Sequence, residues 1–83
     1  MKNAVIEATR SYLTGMVERH KLNTLVLIEK RVGVAEHPDV VETICEELGK
    51  MAEYEDKLSM LDVVENDLWV FVKEKDDNYD LTI

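Results

Sequence analysis

Apolar residues recur at three- and four-residue steps through the first third of the chain and again through its middle, then alternate every second position near the end. Ile6, Leu13, Met16 and Val17 share one side of a helical wheel, with Val5 and Tyr12 widening the stripe. This predicts a helix over 3–19, with Asn3 as its N-cap. Gly15 falls inside it and costs about 1 kcal/mol relative to alanine, so it signals either close helix packing or a break.

The next segment supports two periods. Leu25, Ile28, Val32 and Ala35 follow helical spacing, while Val26, Ile28, Val32 and Val34 alternate and are rich in β-branched side chains. A helix over 22–36 is favoured, because a strand would leave Leu25 and Leu27 apolar on both faces. The alternative is an α+β fold with 24–34 as a third strand.

From 39 to 60 the pattern is helical throughout. Pro38 suits a first helical turn, Asp39 and Glu42 complement the positive end of the dipole, and Ile44, Leu48, Met51 and Leu58 form the stripe with Tyr54 beside it. Glu46 with Lys50 and Glu53 with Lys57 stand in the favourable i,i+4 order. Ser59 followed by Asp62 resembles a capping arrangement that restarts a short helix through Val63 and Val64. Beyond it Leu68, Val70 and Val72 alternate with Trp69 and Phe71. Lys75-Asp76-Asp77-Asn78 then supplies turn chemistry, and Tyr79, Leu81 and Ile83 alternate again, which predicts a β-hairpin over 68–83. The expected fold is therefore mainly α: three helices (3–19, 22–36, 39–60) and a C-terminal β-hairpin, forming one small acidic domain over 1–83. A lone hairpin is marginal in water, so it must pack on the helices or pair with another chain.

Charge changes this picture from a fold to a surface. Residues 1–34 carry six Lys/Arg against three Glu, and residues 35–83 carry four Lys against fifteen Asp/Glu, for a net charge of −8. Such a field repels bare nucleic acid and anionic membrane and attracts basic protein surfaces, including those that grip nucleic acid. Glu53, Asp56, Asp62, Glu65 and Asp67 are the residues expected to carry that attraction, with Trp69 as an aromatic anchor beside them.

Dedicated chemistry adds little. Cys45 is the single cysteine, which excludes an intrachain disulfide and favours a cytoplasmic location; beside Ile44 it reads as a small buried thiol. His20 and His37 have no second ligand at metal spacing and read as solvated or capping residues. Asp76, Asp77, Asn78 and Asp80 lack the glycine and terminal Glu that a calcium loop needs. The N-terminus fits neither a signal peptide nor a membrane span. No metal, no cofactor and no enzymatic activity are expected.

Two resemblances bear on function. His37-Pro38-Asp39 resembles the signature by which J-domain co-chaperones act on Hsp70. Lys30-Arg31 stands where that family carries basic residues, and Tyr12-Leu13-Thr14-Gly15 is similar to its Tyr-x-x-Leu-Gly entry. Glu36 replaces the usual aromatic, and the basic loop expected after Asp39 is missing. The stretches Val34-Ala35-Glu36-His37-Pro38-Asp39 and Met51-Ala52-Glu53-Tyr54-Glu55-Asp56-Lys57-Leu58 resemble small acidic orphan proteins of tailed bacteriophages. That resemblance implies binding and blocking of a host protein, in some cases by mimicry of DNA. The leading expectation is a non-enzymatic inhibitor or regulator that occludes a basic surface of a partner, such as a nucleic-acid-binding protein. The alternatives are a J-like module acting through His37 and Asp39, and a structural homo-oligomer, of which a homodimer is the simplest form.

Overall fold

The computed structural model describes residues 2–30 and 39–75, and within them the chain forms two α-helices, α1 (Lys2–Glu29) and α2 (Asp39–Lys75). Contacts between Arg10 and Asp62 or Glu65 at one end, and between His20 and Glu47 nearer the other, show that the helices run antiparallel. The molecule is a rod of 64 × 17 × 12 Å with a radius of gyration of 19.1 Å. A compact chain of this length would measure roughly 12 Å.

One repeat explains the pairing. In α1 the half-buried or buried positions include Ile6, Arg10, Leu13, Val17, His20, Thr24 and Leu27, separated by alternating steps of four and three, with Met16 half-buried on the flank as Thr43 is in α2. In α2 the same alternation runs through Val40, Ile44, Glu47, Met51, Tyr54, Leu58, Leu61, Glu65 and Leu68. This is the a/d seam of a coiled coil, in which an average step of 3.5 residues keeps one stripe of each helix against the other. The seam is not purely apolar: Arg10, His20, Thr24, Glu47 and Glu65 occupy core positions within it. Leu13 and Val17 are the two hydrophobic side chains that count as buried among the described residues, so the hydrophobic core is thin.

The structure corrects the expected fold in four places. The predicted helices 3–19 and 22–36 are one helix through Glu29. No glycine or proline interrupts 16–29, and the Thr24 hydroxyl donates to the His20 carbonyl at 2.9 Å, so a buried polar side chain is satisfied without breaking the helix. Residues 24–29 are thus helical rather than strand, and the rest of the proposed strand, 31–34, lies outside the described residues. The helix expected to end at 60 continues to Lys75, absorbing the restart at Ser59. The β-hairpin is overturned over 68–75, which are helical; its second half, 76–83, lies outside the described residues. Leu68 stands three residues after Glu65 and continues the seam, and extending an existing helix by a turn avoids the cost of nucleation. Pairing across the seam therefore outweighs the β-branched character of Val70 and Val72.

Gly15 marks neither a close contact nor a break. A β-carbon built there, or at Gly49, meets nothing within 4 Å, and no described residue has a positive φ.

Candidate functional site

The sequence-predicted residues divide into two groups once they lie on one continuous helix. Successive residues of a helix turn by 100°, so Trp69 stands about 20° from Asp62 but roughly 140° from Asp56. Asp62, Glu65 and Trp69 lie toward the seam or its flank, whereas Glu53, Asp56 and Asp67 lie on the outer side of α2. The six do not form one patch, and Trp69, although exposed, is not framed by the outer acids.

The inner group is tied up within the molecule. Arg10 Nη1 donates to Asp62 Oδ1 at 2.6 Å and Nη2 to Glu65 Oε1 at 2.7 Å, while Glu7 approaches the same guanidinium at 3.8 Å. The fork of the guanidinium suits this double engagement, and lysine could not reproduce it. The hydrogen bond to Asp62, reinforced by the carboxylates of Asp62, Glu65 and Glu7, holds the Arg10 pKa above its ordinary value.

A second polar node sits farther along the seam. His20, only 7% exposed, donates from Nδ1 to Glu47 Oε1 at 2.7 Å, and Asn23 Nδ2 donates to the same oxygen at 2.9 Å. The His20 ring stacks on Tyr54 with centroids 5.8 Å apart and planes 8° from parallel, and Tyr12 meets Tyr54 edge-on at 6.5 Å. Lys57 lies 5.1 Å from the Tyr54 centroid while donating to Glu53 at 3.1 Å. That bond to Glu53 raises the Lys57 pKa. His20 is thus neither solvated nor a cap: it is a structural histidine that fixes register, as polar pairs at coiled-coil core positions do.

The hydrogen bond from His20 and then that from Asn23 hold the Glu47 carboxyl below its ordinary pKa. A carboxyl lowered in the folded state contributes stability above its unfolded pKa of about 4.3, and that stability is lost as pH falls through the lower folded value. Urea midpoints taken from pH 7 to pH 3 should therefore decline below about pH 4.5, and Glu47→Gln should flatten part of that decline. Equal slopes in the two chains would show that the node does not couple folding to acid.

The outer group is the site candidate. Asp39, Glu42, Glu46, Glu53 and Asp56 recur at helical spacing on the outer side of α2, all exposed, with Gly49 between them. They span roughly 25 Å of helix. Glu53 is paired with Lys57, and the other four make no ion pair among the described residues. Glu53 and Asp56 are expected from charge density, and Asp39, Glu42 and Glu46 join them because the three- and four-residue spacing puts all five on one side of the helix. Asp67 lies farther along the same side, beyond Met60 and Val63.

The remaining chemistry is sparse. Cys45 is exposed rather than buried, because the seam passes through Ile44 and Glu47 and leaves it on the flank. No group of three or more His, Cys, Asp or Glu that could hold a metal occurs among the described residues. No helix there is long and apolar enough to cross a membrane. His37, Pro38 and the Asp76–Asp80 cluster lie outside the described residues. Asp39 is the first residue of α2, so the basic loop that follows the tripeptide in J-domain proteins has no counterpart here. Comparison with known proteins found no family model, no curated sequence and no solved structure that matches the chain. The likeness to phage orphan proteins rests on the quoted residues alone.

Proposed function

We propose that the protein is a non-enzymatic binding module that covers a basic surface of a partner protein with the outer side of α2. The observation that carries this is the row Asp39, Glu42, Glu46 and Asp56, exposed and without an ion pair among the described residues, while Arg10 engages Asp62 and Glu65 within the molecule. α1 carries four Lys/Arg against three Glu, and α2 four Lys against eleven Asp/Glu, so the negative field belongs to α2. Carboxylates at alternating three- and four-residue steps give about one charge per 5 Å. Duplex DNA carries one per about 1.7 Å. That spacing favours a basic patch on a protein over a site built to grip a full duplex, so strict DNA mimicry is the less supported form of the reading.

The test compares wild-type chain, a Glu42→Gln/Glu46→Gln/Asp56→Asn chain and a Glu29→Gln control on α1 as baits in a lysate. The expected result is capture of proteins of basic pI at about 50 mM salt, loss at about 500 mM where screening acts within about 4–5 Å, and loss with the triple variant. Capture that ignores both salt and the triple variant sinks the proposal.

A further inference from the structure

We infer that two copies of this chain associate in parallel, through the face of the hairpin that carries Leu25, Val41, Cys45 and Leu48, to form a four-helix bundle. The area is the first argument. The chain exposes 6450 Å², whereas a compact monomer of 9.6 kDa exposes roughly 5,100 Å². A standard interface takes roughly 800 Å² from each partner, which one long side of a rod of 64 × 17 × 12 Å can supply. Two helices with Leu13 and Val17 as their buried hydrophobic pair form half of such a bundle.

Register decides which face. In an antiparallel hairpin the two e positions of the heptad fall on one side and the two g positions on the other. The contacts of this molecule bear that out: Arg10 reaches Asp62 on the e side, and Tyr12 shares Tyr54 with Lys57 on the g side. On the e side, at the end where α1 finishes and α2 starts, Leu25 is 54% exposed, Val41 65% and Leu48 47%, with Cys45 exposed between the last two. Continuing along that side, Thr14 and Ser11 on α1 and Ala52 and Ser59 on α2 are small, set among Glu18, Glu55 and Asp62, with Trp69 at the far end. The small side chains let a second pair of helices approach closely.

Charge selects the direction of pairing. A two-fold axis along the rod places α1 of one copy over α2 of the other, the nearly balanced helix against the acidic one. Lys21 and Glu55, both exposed e-position residues just beyond the apolar patch, then face each other across the interface twice. The opposite arrangement places α2 on α2 and sets eleven acids against eleven. The acidic row on the outer side of α2 lies about a quarter turn away and stays uncovered, so this inference stands apart from the proposed function.

Sedimentation equilibrium of the intact chain at about 100 μM should give twice 9.6 kDa. Leu48→Glu should return it to monomer, and Val64→Glu, on the g side, should leave the dimer intact. Lys21→Glu should weaken association roughly 3- to 10-fold, and Lys21→Glu with Glu55→Lys should restore it. Should the Leu48→Glu chain lose its helicity, the Lys21→Glu and swapped chains, which alter no apolar contact, decide the matter. A wild-type monomer overturns the inference, as does a dimer indifferent to Leu48→Glu or broken by Val64→Glu. Failure of the charge swap to restore association overturns the parallel arrangement.

Discussion

Leu13→Ala should cost about 2–4 kcal/mol and remove much of the chain's stability, whereas Leu22→Ala should cost only a few tenths. Leu13 is one of two hydrophobic side chains buried between the helices, while Leu22 stands on the solvent side of α1. A chain of 83 residues has about 4–12 kcal/mol of stability in all. A thin two-layer seam belongs at the low end of that range. Urea melts followed by circular dichroism at a single low concentration make the comparison. Equal midpoints for the two variants would mean that the seam is not where the hairpin is held.

Gly15→Ala together with Gly49→Ala should raise stability by about 2 kcal/mol, close to 1 from each site. Each glycine stands at the outermost position of its heptad, has open space where a β-carbon would go, and lacks the positive φ that would penalise alanine. The gain comes from the reduced freedom of the unfolded chain and from helix propensity, not from new contacts. A neutral or destabilising double variant would show that one of these glycines serves a contact outside the described residues.

Helical character over 3–19, 22–29 and 39–60 and six of the sixteen seam positions were legible in the sequence, whereas the continuity of α1 and the run of α2 beyond residue 60 were not. Ile6, Leu13, Val17, Ile44, Met51 and Leu58 are apolar, correctly spaced and face the partner helix. The rest was hidden because the seam runs through charge. An apolar stripe chosen by hydrophobicity steps from Ile44 to Leu48, while the helix turns Glu47 inward and leaves Leu48 exposed; the same happens where Thr24 and Leu27, not Leu25 and Ile28, take the seam in α1. A strict alternation of four and three, applied without regard to polarity, would have found Arg10, His20, Glu47 and Glu65. Alternation from Leu68 to Val72 misled because a run of five apolar residues satisfies both periods. The acidic character of α2 was plain, but which acids remain unpaired depends on Arg10 lying opposite residues more than fifty positions away.

That separation has a kinetic consequence. Joining His20 to Glu47 closes a loop of 27 residues, and joining Arg10 to Asp62 closes one of 52. The longer loop costs about 0.6 kcal/mol more in chain entropy. The hairpin should therefore zip from the histidine node toward its open end and fray from that end first. Arg10, holding two carboxylates at once, works as a latch where the pair of helices would otherwise part.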